Sequence, residues 1–276
     1  MAPQRPPRRA ARRLRAVSAA LRRPAAALAP TATSVDDGAA PSRSLLRLGA
    51  FDLVSWRESS LPSIAERYGA GFFEVWEQLF EQARASSTSV DLGGVALRSV
   101  ELVRFSPVEG HYPSAAELAS LDGIVISGSG EDSWSDTPWL VELRARLADY
   151  DAQQVRMSGF SFGPQVLAAA LGGRVARNPL GHETTVTTTH LSDEAREYFG
   201  TPRRSVDLIV HHNDAVLELP PGAKSLGGSA VTEHHGWFRG ANVLAFAHHP
   251  EYCFVRYTAT HAFLPRPAVR CAGWGR

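Results

Sequence analysis

Gly159-Phe160-Ser161-Phe162-Gly163 is the stretch that most narrows what this chain can become. A short apolar run from Val155 leads into it, and an apolar segment, Pro164 to Leu171, leads out. Strand, tight turn and helix in that order match the G-x-S-x-G elbow, which sets its middle residue at the carboxyl end of a strand and the start of a helix. Glycines are needed there because the turn is strained and neighbouring backbones come close. An attacking atom and a developing anion are both favoured at such a place. An ordinary Gly-rich turn holding a serine would carry the same five letters, so the motif needs support from elsewhere in the chain.

The flanking sequence supplies the frame. Ser44 to Val54 suits a first buried strand, and Phe72 to Arg84 places Phe72, Phe73, Val75, Trp76, Leu79 and Phe80 at helical spacing. We read that aromatic stripe as core. Val95 to Phe105 predicts a second strand, and Gly123 to Ile126 a buried one that runs into Ser127-Gly128-Ser129-Gly130. Backbone N–H groups of that small loop suit an anion. Thr137 to Tyr150 predicts a helix with Pro138 in its first turn and an apolar stripe of Trp139, Leu140, Leu143 and Leu147. After the elbow, strands are predicted over Arg174–Asn178, Thr184–His190, Val206–His211 and Val243–Ala247, with Ser192 capping a helix through Phe199. The alternation predicts an α/β fold, a doubly wound, mostly parallel sheet flanked by helices.

Charge and cysteine content exclude several classes. The formal net charge of the 276 residues is +1, which argues against bulk nucleic-acid binding. No apolar run is long enough to span a membrane. Cys253 and Cys271 show neither metal spacing nor a disulfide framework. No metal, nucleotide or other cofactor is expected. The basic charge is concentrated at one end: Arg5, Arg8, Arg9, Arg12, Arg13, Arg15, Arg22 and Arg23 precede the first acid, Asp36. We therefore expect residues 1–43 to be a disordered Arg/Ala-rich tail that suits a transit peptide, residues 44–255 to be the folded domain, and residues 256–276 to be an irregular tail. The expected location is cytoplasmic, or a mitochondrion or plastid if the arginine-rich end is a targeting signal.

Three segments far apart in sequence fall at predicted strand ends: the Gly128 loop, the Ser161 elbow and His249-Pro250-Glu251. An oxygen nucleophile needs a base to take its proton, and the base needs an acid to orient it. His249 and Glu251 are two residues apart, so on extended backbone both can face the same side.

With those segments in hand the chain resembles the class I glutamine amidotransferase domain, in particular the stand-alone branch with fungal amidotransferase-like proteins and plant γ-glutamyl peptidases. The resemblance runs from about Leu45 to Tyr252. It is carried by Arg67-Tyr68-Gly69, the Asp122 to Ser129 run, Asp136-Thr137-Pro138-Trp139, Phe162-Gly163, Gln165, Ala170 to Gly173, Arg177-Asn178-Pro179, Gly181, Glu183, His212 with Asp214, and His249-Pro250-Glu251. The resemblance implies a nucleophile at position 161, His249 as its base and Glu251 as orienter. It further implies an oxyanion hole from the N–H groups of Gly128 and Phe162, and a glutamyl pocket bordered by Gln165 and Glu183. It also implies a small-molecule partner, glutamine or a γ-glutamyl compound, and names no protein partner.

Two departures follow from the same resemblance. Ser161 stands where the family has its cysteine, and Pro164 where a histidine is usual. A serine hydroxyl is far harder to ionise than a thiol of ordinary pKa about 8.5. Three expectations result: a domain with impaired glutaminase activity, a working serine-type γ-glutamyl or peptide hydrolase built on Ser161, His249 and Glu251, or a non-catalytic binding protein. Because no ammonia-using domain follows in the sequence, a hydrolase fits better than a biosynthetic amidotransferase.

Overall fold

The computed structural model describes residues 45–54, 72–86 and 99–249. The predicted tails, the Arg67-Tyr68-Gly69 loop and Glu251 lie outside them. In chain order the elements are β1 (Leu45–Phe51), α1 (Phe72–Ser86), β2 (Ser99–Phe105), α2 (Ala115–Ser120), β3 (Gly123–Ile126), α3 (Pro138–Ala152), β4 (Met157–Phe160), α4 (Gly163–Ala170), β5 (Arg174–Arg177), β6 (Glu183–Leu191), α5 (Asp193–Phe199), β7 (Ser205–His212), β8 (Asp214–Glu218), β9 (Lys224–Gly228), β10 (Gly236–Arg239) and β11 (Val243–Phe246). None of the described helices is long and apolar enough to cross a membrane.

The principal sheet has nine strands in the order β2-β1-β3-β4-β11-β10-β9-β6-β7. From β2 to β11 every pairing is parallel. From β11 outward every pairing is antiparallel. The doubly wound α/β expectation is met in the first half, where helical crossovers return the chain to parallel register.

Period-two alternation sorts the side chains of these strands between two cores. Leu48, Ala50 and Val125 turn to one face, where Trp76 and Leu79 of α1 cover them. Burying those two α1 side chains is worth about 1.5–3 kcal/mol each for a Leu-sized group, more for the indole. Phe51, Ile124, Ile126 and Met157 turn to the other face, against Leu140, Leu143 and Leu147 of α3 and Val166 and Leu167 of α4. Trp139 packs on the margin of that cluster, so the predicted stripe is correct with its first member at the edge.

Local signals explain the helix ends. Ser192 caps α5, its Oγ accepting from Ala195 N at 2.9 Å. α2 has a full capping box, with Ser114 Oγ accepting from Glu117 N and the Glu117 carboxylate accepting from Ser114 N.

Within the antiparallel half, the β6–β7 ribbon pairs with β9 through a narrow seam. β6 pairs with β9 at only His190↔Gly228 and Leu191↔Gly227. Gly227 has φ +108°, and a β-carbon there would overlap His190 O; one on Gly228 would overlap the carbonyls of Thr232 and Glu233. Main chain meets main chain here with no room for a side chain.

Candidate active site

Sheet order builds the site. β3, β4 and β11 are adjacent and parallel, so the loops leaving their carboxyl ends emerge side by side. Gly128, Ser161 and His249 lie on those three loops. The carboxyl ends of the strands are where open α/β sheets place ligands.

The elbow has the strain its sequence predicts. Ser161 sits at φ +56°, one of two non-glycine residues with positive φ among those described. Its N–H donates to Phe246 O at 2.8 Å, which ties the turn to β11. A β-carbon on Gly159 would come within 2.7 Å of Gly163 Cα, and one on Gly163 would lie 3.3 Å from Ile126 O, so the first glycine is required by the backbone of the second and the second is pressed by β3. α4 starts directly after the turn, with Pro164 in its first turn.

Gly128 measures how closely the segments converge. The position its β-carbon would take is 3.3 Å from Ser161 Oγ, 3.4 Å from Ser161 Cβ and 3.9 Å from His249 Cε1. The hydroxyl and the imidazole thus flank one small volume at a residue without a side chain. Ser127 shapes that loop: its Oγ accepts from Leu53 N at 2.8 Å and donates to Gly128 O at 2.9 Å. Arg144 of α3 braces the following turn through the carbonyls of Ser133 and Ser135, at 2.7 and 2.8 Å. His249 is buried and held by its own N–H, which donates to Ile209 O at 3.0 Å.

The other sequence-predicted residues have partners of their own. Phe162 is buried at the start of α4. Gln165 is buried, and its side-chain amide donates to Asp214 O at 3.2 Å. Glu183 is buried in a cluster of polar groups: its Oε1 accepts from Ser229 Oγ at 2.8 Å, and its Oε2 lies 2.9 Å from His235 Nε2. Burial pushes the Glu183 carboxyl up, but hydrogen bonds from Thr232, His235 and Ser229 together bring it below the ordinary range.

Sequence reading missed most of that cluster. His235 Nδ1 and His248 Nε2 both lie 2.8 Å from Thr189 Oγ1. His212 Nδ1 lies 3.1 Å from Asp214 O. Asp214 is itself clasped by Arg177 at 2.8 Å and Trp134 Nε1 at 3.0 Å. The His212 and Asp214 pair was visible in the motif set. His235 and His248 had no local signature.

Burial, reinforced by neighbouring His235, pushes His212 down to about 4 and His248 down to about 3. In the unfolded chain both titrate near the ordinary 6.5. A folded state that resists protonation is most favoured above that value and loses stability as pH falls from it toward about 4 and then 3. Each unit is worth about 1.4 kcal/mol, so acidification should cost on the order of several kcal/mol. Urea unfolding at a series of pH values checks this; a flat profile across that window would contradict it.

No family model matches the sequence. Among curated proteins, gamma-glutamyl peptidase 4 of Arabidopsis thaliana is 36% identical over 152 residues, which is 54% of this chain and 61% of that protein. Two further curated relatives, a putative glutamine amidotransferase-like protein of Schizosaccharomyces pombe and gamma-glutamyl peptidase 3 of Arabidopsis thaliana, are spanned over 57% and 61% of their length, and GMP synthases over 26%. Among solved structures, a glutamine amidotransferase from Thermotoga maritima superposes with TM-score 0.56 at 17% identity, covering 75% of this chain and 76% of that one. A glutamine amidotransferase from Methylobacillus flagellatus gives 0.52 at 20% identity, covering 77% and 76%. At such identities these two establish the fold.

Proposed function

We propose that this chain, a class I glutamine amidotransferase-like domain, binds glutamine or a γ-glutamyl compound over the Ser161–His249 face and hydrolyses it slowly, because a hydroxyl takes the place of a thiol. The observation that carries this is the convergence at Gly128, with Ser161 Oγ and His249 Cε1 at 3.3 and 3.9 Å from one point. A γ-carbonyl seated there has a nucleophile and a base on either side. His249 accepts the Ser161 proton as oxygen attacks the carbonyl carbon, then delivers it to the leaving amine; water regenerates the hydroxyl. The N–H groups of Gly128 and Phe162 are the donors for the oxyanion, and Glu251, two residues beyond His249, orients the imidazole. Slowness follows from the hydroxyl, whose proton must leave in step with attack.

Purified protein should be stabilised thermally by glutamine or a γ-glutamyl dipeptide while turning it over only weakly. The alternative, a competent Ser161-His249-Glu251 hydrolase, is favoured by one observation: the strained elbow at Ser161 is intact, with φ +56°. It predicts rapid labelling of Ser161 by a serine-hydrolase phosphonate probe, abolished by His249→Ala. Neither stabilisation nor labelling in the folded protein would remove both readings.

Gly128→Ala tests the shared volume. Its methyl would lie 3.3 Å from Ser161 Oγ, tight enough to displace the hydroxyl by a few tenths of an ångström. We expect a stability cost of about 1 kcal/mol but loss of the ligand-induced thermal shift and of residual turnover. Retention of both would place the ligand elsewhere.

A further inference from the structure

We propose that Glu183, His212 and His235 form a binding site for a divalent transition-metal ion of the zinc type. One ligand atom from each lies within 4.8 Å of the other two, and all three residues are buried. This departs from the sequence expectation that no metal is held. The proposal does not depend on the glutamyl reading.

The backbone brings the three together. Glu183 and His212 are direct partners in the β6–β7 ladder. His235 precedes β10, fixed by its N–H to Gly227 O at 2.8 Å and by Ala247 N–H to its own carbonyl at 2.7 Å. One ladder and the bend just before β10 therefore hold the donor set.

The protonation pattern supports the ion. Asp214 O, 3.1 Å away, can only accept, so His212 Nδ1 carries the hydrogen and Nε2 keeps its lone pair. That Nε2 is buried, makes no hydrogen bond and faces Glu183 Oε2 at 3.5 Å. Two acceptors face each other away from water, a costly arrangement unless a cation lies between them. A proton shared by Glu183 and His235, 2.9 Å apart, would leave the His212 lone pair unmet.

With a metal ion the three inward-facing acceptor atoms share one partner. His235 Nδ1–H donates to Thr189 Oγ1, whose hydroxyl donates on to His248 Nε2, freeing His235 Nε2 to ligate. Ser229 holds Glu183 Oε1 and leaves Oε2 turned toward the imidazoles. Each ligand thus has an outer partner of the kind that fixes ring orientation in metal sites. Two imidazoles and a carboxylate are a set that zinc accepts at about 2.0–2.2 Å, with a further position for water. The ion would tie β6, β7 and the stretch before β10 beside the His248–His249 segment, which bridges to Val210 and bonds to Ile209.

The test uses untagged full-length protein, stripped with a chelator and titrated with Zn²⁺ by calorimetry and with Co²⁺ by visible absorption. We expect one ion per chain, a rise in Tm, and Co²⁺ d–d bands of a four- or five-coordinate nitrogen/oxygen site. Glu183→Gln, His212→Ala and His235→Ala should each weaken binding about 100-fold or more. His190→Ala, at an exposed histidine, should leave it unchanged. Stripped wild-type protein that takes up no stoichiometric Zn²⁺ or Co²⁺ overturns the proposal, whether or not the variants fold. So does a Co²⁺ spectrum that Glu183→Gln leaves unaltered.

Discussion

Ser161→Cys is expected to raise hydrolysis of glutamine and γ-glutamyl dipeptides by about 100-fold or more, some 2.7 kcal/mol of barrier. The effect is large because everything around the atom is already in position. The elbow holds residue 161 at φ +56°, so its side chain projects from the turn whichever atom it ends in. α4 begins directly behind it, and the helix amino terminus favours a thiolate there. The larger sulfur must fit beside Gly128, where the missing side chain leaves the space: Ser161 Oγ is 3.3 Å from where a β-carbon would stand. Ammonia release and glutamate formation measure the gain. A folded cysteine variant no faster than wild type would refute the proposed cause of slowness. If wild type were already fast, the serine-hydrolase reading would replace it.

The second large effect is on stability. Trp237→Ala should cost about 3–5 kcal/mol, lowering Tm by roughly 10 °C for a chain of this size. Trp237 is fully buried on β10, in the core shared with α3 and α4. Its Nε1–H donates to Pro164 O at 3.1 Å, so one side chain fastens the antiparallel half of the sheet to the helix behind the elbow. Trp237→Phe keeps most of the packing and loses the hydrogen bond, and should cost about 1 kcal/mol. Calorimetry of the two variants separates packing from the bond; equal losses would show that the carbonyl contact dominates.

How much of this was legible in the sequence depended on whether the cause was local. β3 was read to the residue because a buried parallel strand is a continuous apolar run. The cap at Ser192 and the elbow were read because each needs particular residue types at fixed offsets. α2 was overlooked although Ser114 and Glu117 have the capping-box spacing; six residues carry too little periodicity. β8, β9 and β10 were overlooked for another reason. Lys224 to Gly228 has no strand pattern of its own, and its pairing is settled by β10 and β6. The site divided in the same way. Gly128, Ser161 and His249 follow strands, so topology brought them together as expected. Glu183 stood out in the motif set, whereas its partners Ser229 and His235, 52 residues away, did not. Such a partnership exists only after the sheet has closed.

The seam at Gly227 and Gly228 has a consequence for how variation can accumulate. Hydrogen is the one substituent tolerated at either position, so the junction is closed to change of size, charge or polarity. The outer ribbon of β6 and β7 can alter most of its outward surface while its attachment stays invariant. Diversification of this half of the molecule is therefore confined to what the ribbon presents, and the joint itself is fixed by steric exclusion.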